Sequence, residues 1–176
     1  MMRVTGVATA ALGFLVAAGC AGQGGPGGTP EQDREVAIYA AVIRHMTSEE
    51  GQSSGFRVIY VLDRVVANAD DPDDPGGGQP FPEEDRAALQ DALGEVAPVE
   101  FVSSRQAVTG PEQEGSRVEN DGILLTLGPI SGEEDRALVP ASSYLGNLAG
   151  TWQTWVVEPQ AGGWAVTGTE GPVAIS

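Results

Sequence analysis

The stretch TWQTWVVEPQAGGWAVT, residues 151–167, decides the fold. Residues 151–157 and 164–167 are rich in β-branched and aromatic side chains, and the segment 158–163 between them contains a proline and two glycines. Two such runs joined by a short glycine-containing segment predict a β-hairpin. We therefore expect this part of the chain to form two antiparallel strands.

The tryptophans of this hairpin separate into two groups by their spacing. Side chains of a strand alternate between its two faces, so Trp152 and Trp155 point in opposite directions. If Val157 pairs with Trp164, then Trp155 pairs with Val166 and shares a face with Trp164. We expect Trp155 and Trp164 in the core. Trp152, on the other face, is the candidate contact for a ligand or a protein partner, because exposed aromatic residues anchor interfaces.

The sequence before the hairpin predicts more strands. Residues 123–127, ILLTL, are almost wholly apolar, which is typical of a strand covered on both faces. Residues 136–145 predict another strand, in which Pro140 indicates a sheet edge or a bulge, and Ser131-Gly132 indicates a turn. Further strands are expected over residues 56–66, 99–103 and 173–175.

A first helix is expected to begin at Thr29 and Pro30. Thr29 can cap the helix, Pro30 suits its first turn, and Gln32 completes a capping box with Thr29. The helix is expected to run to about Ser48 and to stop before Gly51. Apolar residues follow one another at helical spacing along it: Val36, Tyr39, Ala40, Ile43 and Met46.

A second helix is expected to open at Pro82, where the acidic run 83–85 favours the positive end of the helix dipole. Leu89 and Leu93 mark its buried stripe, and Gly94 can end it. The order of helix, strand, helix and then a run of strands predicts an α+β fold. We expect two helices packed on one face of a mostly antiparallel sheet of about five or six strands.

Residues 1–20, MMRVTGVATAALGFLVAAGC, have the layout of an export signal. Arg3 gives a positive start, an apolar stretch follows, and small residues lead into Cys20. The apolar stretch falls short of a comfortable membrane span, which needs about 20 strongly apolar residues. The residues Ala17-Ala18-Gly19-Cys20 resemble the bacterial lipobox.

That resemblance implies a signal peptide over residues 1–19, cleavage before Cys20 and a diacylglyceryl group on the Cys20 sulfur. The mature protein would then be secreted and held by lipid on the outer face of the cell membrane. Cys20 is the single cysteine of the chain, so no second cysteine offers it a disulfide. Residues 20–29 would form the lipidated cysteine and a Gly-rich tether, and residues 30–176 a single α+β domain.

The tail of the chain carries a second resemblance. The residues Gly150-Thr151-Trp152, Gly163-Trp164-Ala165-Val166 and Gly171-Pro172-Val173-Ala174-Ile175-Ser176 look like those of a group of small exported actinobacterial proteins. The resemblance implies a tryptophan-bearing hairpin and no particular activity.

The charge of the chain disfavours several classes of partner. There are 25 acidic and 9 basic residues, for a formal net charge of −16, and all the basic residues are arginine. Such a charge disfavours nucleic acid, whose binding depends on basic groups that neutralise phosphates, and adsorption to anionic lipid heads. Membrane attachment is therefore expected through the lipid on Cys20. The absence of lysine excludes Schiff-base chemistry on a lysine.

Candidates for metal binding or catalysis are weak in this sequence. Carboxylates in the loop 68–80 could bind a hard cation such as calcium, but Pro75 and Pro82 stand where an EF-hand loop needs ligands, so we expect a solvated loop and no metal site. His45, the single histidine, is expected to be exposed on the first helix. No nucleotide-binding or hydrolase motif occurs, and no cofactor is expected. The loop carboxylates are Asp70, Asp71, Asp73 and Asp74.

These observations predict a non-catalytic envelope lipoprotein that binds a small ligand or an envelope protein through its sheet. One alternative is an envelope hydrolase that uses paired carboxylates, and another is a purely structural surface lipoprotein. A pocket with several carboxylates near His45 would favour the hydrolase. A filled core with an exposed aromatic patch would favour binding.

Overall fold

A computed structural model describes five segments of the chain: residues 28–49, 55–71, 77–109, 117–146 and 149–175. Within them the helices are α1 (Pro30–Glu49), α2 (Glu83–Leu93) and α3 (Gln106–Thr109), and a short 3₁₀ turn spans Glu119–Asp121. The strands are β1 (Ile59–Val66), β2 (Gly78–Pro80), β3 (Val99–Val102), β4 (Ile123–Leu127), β5 (Ser131–Glu133), β6 (Arg136–Gly146), β7 (Ala149–Gln160) and β8 (Gly163–Ile175). None of the described helices is long and apolar enough to span a membrane.

All eight strands belong to one sheet, in the order β2-β1-β4-β6-β7-β8, with β3 beside β1 and β5 beside β6. Strand β1 runs parallel to β3 and β4, and the other pairings are antiparallel. The predicted α+β class with a mostly antiparallel sheet is confirmed. The sheet has more strands than expected because β2 and β5 are short and exposed, so neither carries the apolar pattern by which a strand is recognised.

Helices α1 and α2 pack on one face of this sheet and form the main core with it. Strand β4 is buried on both faces, as predicted, since Ile123 and Leu125 contact the helix side while Leu124 belongs to a smaller cluster on the other face. The Tyr39 hydroxyl donates a hydrogen bond to the Gly128 carbonyl (3.0 Å) just after β4. Burial raises the pKa of Tyr39, which keeps this hydroxyl protonated.

The start of α1 differs in one contact from the predicted capping box. The Thr29 hydroxyl accepts a hydrogen bond from the Gln32 backbone N–H (3.3 Å), as expected of a cap. The Gln32 side chain, however, donates to the Asp85 carboxylate on α2 (2.5 Å) and not back to Thr29. The buried Asp85 needs a donor, because a carboxylate without a hydrogen bond is costly inside a protein.

Two predictions about the middle of the sheet were wrong. Pro140 marks neither an edge nor a bulge, because β6 lies between β4 and β7 and pairs with β7 in regular register on both sides of Pro140. Pro140 is tolerated there since it lies one residue beyond the last β4 pair, Leu127 with Ala141, so its missing N–H breaks no bond of that ladder. Residues 131–132 are not a turn but part of β5, and the chain turns two residues later, where Glu133 pairs with Arg136.

The β7–β8 hairpin is confirmed with a tighter turn than expected. Gln160 pairs with Gly163, so the connection has the two-residue length that hairpins favour. Val157 therefore pairs with Val166 rather than with Trp164. This pair keeps Trp164 and Val166 on the face of Trp155 and Val157, and Trp155 and Trp164 both pack toward the main core as predicted. A bulge between Val156 and Val157 pairs Trp155 with Thr169 and not with Val166 as expected. Trp155 is 4% exposed, whereas Trp164 is half-buried.

His45 is half-buried, so the expectation of an exposed histidine was wrong. Its ring lies 4.7 Å from the Trp155 ring, centroid to centroid, in an edge-to-face arrangement at 74°. Helix α1 packs against β7 at this point, which covers the histidine.

Candidate ligand pocket

The sheet face that α1 and α2 leave uncovered carries a pocket with a volume of about 380 Å³. Its floor consists of side chains from four strands that alternate onto this face. The pairing register places Thr126, Ser142 and Trp152 in one row across β4, β6 and β7. A pocket of this volume is in the range that binds small organic molecules, roughly 300–1,000 Å³. The floor residues are Leu62, Arg64, Val66, Leu124, Thr126, Ser142, Tyr144 and Trp152.

The loop after β1 forms one wall of the pocket. Ala69 in this loop is 1% exposed and lines the pocket. The Thr154 hydroxyl on β7 donates a hydrogen bond to the Asp70 carboxylate (2.7 Å). Because Asp70 follows β1 and Thr154 lies on β7, this bond holds the loop across the ends of the two strands between them. Asp71 lies on the rim.

The segment from Ser103 to Gln106, which leads into α3, forms the opposite wall. Val108 in α3 is 3% exposed and packs in the smaller apolar cluster with Tyr60 and Leu124. The Arg64 guanidinium donates to the Ser103 carbonyl (2.9 Å) and contacts the Asp63 carboxylate (2.9 Å). A side chain from β1 therefore fixes the backbone of this wall.

Arg105 belongs to the same wall and stacks on the pocket floor. Its guanidinium carbon lies 5.0 Å from the centroid of the Tyr144 ring, which is the geometry of a cation–π contact. Arg105 is exposed, so its charge remains accessible from the solvent side of the pocket. Tyr144 thus holds a positive group at one end of the floor.

Trp152 lies along the floor beside Tyr144. A Cβ atom at Gly150 would come within 2.7 Å of the indole of Trp152, so the indole covers the backbone of Gly150, and a glycine is required there. Gly150 pairs directly with Tyr144 on β6, and both Trp152 and Tyr144 line the pocket. The prediction that Trp152 faces away from Trp155 is confirmed, while its contact with a ligand stays a prediction.

The four loop aspartates do not form a described metal site. Asp70 is engaged by Thr154, Asp71 lies on the pocket rim, and Asp73 and Asp74 lie outside the described residues. Among the described residues, no three His, Cys, Asp or Glu side chains come together as a metal ion would require. The predicted signal peptide, Cys20 and the predicted tether up to residue 27 also lie outside the described segments.

The sequence did not reveal most of the pocket. Arg64, Arg105, Ser142 and Tyr144 were not singled out, because isolated polar residues on separate strands carry no common motif. One signal was available: residues 60, 62, 64 and 66 alternate onto one face of β1, and Arg64 is the charged residue in that otherwise apolar series. A charge on a half-buried strand face indicates a polar feature of the fold.

Comparisons with known proteins gave no relative, since no protein-family model, no curated protein and no solved structure matches this chain.

Proposed function

We propose that this protein is an envelope lipoprotein, anchored by lipid on Cys20, that binds a small organic ligand in the pocket on its helix-free sheet face. The observation that carries the proposal is the position of Trp152. Its half-buried indole lines a recess of about 380 Å³ together with Leu124 and Tyr144. An apolar recess with a few convergent polar groups is the usual form of a small-molecule site.

The pocket favours ligand binding over the two alternatives. Among the described residues that line it, Asp71 is the one carboxylate, and a carboxylate-dependent hydrolase requires a pair. His45 lies on the other face of the sheet, against Trp155, where it cannot act on a molecule in the pocket. A purely structural protein has no need of an open recess lined by an aromatic side chain.

The sequence supports a lipid-anchored location on the extracytoplasmic side of the membrane. A lipid on Cys20 and the Gly-rich tether that follows would hold the domain clear of the bilayer on the extracytoplasmic side. The strongly acidic composition disfavours adsorption of the domain to anionic lipid heads. The pocket would therefore stay accessible to ligands in the envelope.

Ligand binding can be tested with a neutral fluorescent probe, N-phenylnaphthylamine, whose emission rises in apolar sites. We expect the wild-type protein to bind the probe, and Trp152→Ala to weaken binding about tenfold, because loss of the indole wall removes about 1.4 kcal/mol of apolar contact. Fluorescence titration at constant salt gives the dissociation constants.

Trp164→Ala is the matched control, since it makes the same change on the helix side of the sheet, where Trp164 stacks on Arg34 at 5.0 Å. This control should bind the probe within about twofold of wild type. Circular dichroism confirms that both variants are folded. Unchanged binding by folded Trp152→Ala, or an equal loss in both variants, would contradict the proposed site.

A further inference from the structure

Arg105 places a positive charge at one end of the pocket. Arg105 lies over Tyr144, which pairs with Gly150 in the row at that end of the floor. Asp70 bonds Thr154, which pairs with Pro140. The two rows are separated by four residues along β6, or about 13 Å. Asp71, next to Asp70 in the chain, therefore follows the residue that is bonded at the opposite end of the floor from Tyr144.

The two arginines of the pocket have different roles. Arg64 contacts Asp63 at 2.9 Å and the Ser103 carbonyl, so its charge is balanced and its donors are engaged in holding the wall. Arg105 makes no ion pair with any of the described residues, and its guanidinium lies over the Tyr144 ring. In a chain with a net charge of −16, an arginine that pairs with none of the described carboxylates and lies beside an apolar recess marks a place for an external anion.

We infer that the ligand is a small organic anion with an apolar, planar body. This inference rests on the proposed function and adds the chemical class of the ligand. The body lies against Trp152 and Leu124, and its carboxylate or similar anionic group pairs with the guanidinium of Arg105. Arginine suits this role because its planar donors match the two oxygens of a carboxylate. The hydroxyl of Ser104, on the same wall, supplies a further polar contact.

Two probes with the same aromatic body distinguish recognition of the anionic group from binding of the apolar body. Anilinonaphthalene sulfonate carries an anionic group, and N-phenylnaphthylamine is its uncharged counterpart. We expect Arg105→Gln to weaken binding of the sulfonate about tenfold, as loss of one charge-assisted contact implies. The same variant should bind the neutral probe within about twofold of wild type, and Arg105→Lys should recover part of the loss.

Arg57→Gln serves as the control, because Arg57 is also exposed and lies outside the pocket. It removes the same charge and should leave both affinities unchanged. If wild type binds the neutral probe but Arg105→Gln leaves sulfonate binding unchanged or weakens both probes equally, the anionic class is overturned and the pocket stands. If wild type binds neither probe, both proposals are overturned. Cooperative urea unfolding of each variant excludes adsorption of the probes to a partly unfolded protein.

Discussion

Replacement of Trp155 with alanine is expected to lower the free energy of unfolding by about 3–5 kcal/mol, the usual range for a buried aromatic residue. Trp155 is 4% exposed and lies between β7 and α1, where its ring contacts His45. Its truncation removes contacts to the helix and to the sheet at once. Urea unfolding followed by circular dichroism gives the free energy of unfolding of wild type and variant.

Two variants sharpen this prediction. Trp155→Phe should cost much less than Trp155→Ala, because the buried indole N–H of Trp155 has no hydrogen-bond partner among the described residues. Trp152→Ala, on the pocket face, should cost less than about 1.5 kcal/mol, since Trp152 is half-buried. If Trp152→Ala destabilises the domain as much as Trp155→Ala, the pocket face is part of the core and not a binding surface.

Replacement of Cys20 with alanine is expected to abolish membrane attachment entirely. The acyl chains on this cysteine would be the whole anchor, because each buried methylene contributes about 0.8 kcal/mol and the acidic domain gains nothing from anionic lipid. The variant should appear in the medium or accumulate as unprocessed precursor. Immunoblots of membrane and medium fractions measure this, and labelling with radioactive palmitate measures acylation.

Trp152→Ala is the matched control for the anchor, since it should alter the pocket and leave the protein on the membrane with its label. A Cys20→Ala protein that is processed normally, stays in the membrane fraction and still takes up label would show that the lipobox assignment is wrong.

The elements with regular apolar spacing could be predicted from the sequence. Helix α2 was recognised from its acidic first turn with Leu89 and Leu93, and β4 from an almost wholly apolar run that the structure buries on both faces. The two faces of β7 followed from the alternation of Trp152 and Trp155. In each case the local pattern and the tertiary environment agree, which is why sequence alone sufficed.

The predictions that were wrong concern residues whose contacts depend on the tertiary structure and not on the local sequence. Gln32 could bond its own helix end or Asp85, and the packing of α2 beside α1 decided for Asp85. Pro140 suggested an edge, but a central strand accepts it where the neighbouring ladder ends. His45 was predicted to be exposed, but in the folded domain its ring packs against Trp155 on β7.

Most of the pocket could not be predicted from the sequence. Arg64, Arg105, Tyr144 and Trp152 come from four separate segments. The parallel pairing of β1 with β3 and β4 and the antiparallel pairing of β6 with β4 and β7 bring them together. Trp152 alone was singled out, because its face could be read from the strand period. The loop wall could not be foreseen either, since Asp70 looked like one member of a solvated acidic cluster and not like the acceptor of Thr154.

The most direct test of the ligand pocket is an NMR titration of the isotope-labelled protein with N-phenylnaphthylamine, observed on the indole N–H signals. We predict that the Trp152 signal shifts progressively with probe concentration and saturates, together with the amide signals of Ser142 and Tyr144. The signals of Trp155 and Trp164, which lie on the other face of the sheet, should stay in place. A shift of Trp155 or Trp164 without Trp152, or no shift of any indole at saturating probe, would contradict a binding site on the helix-free face.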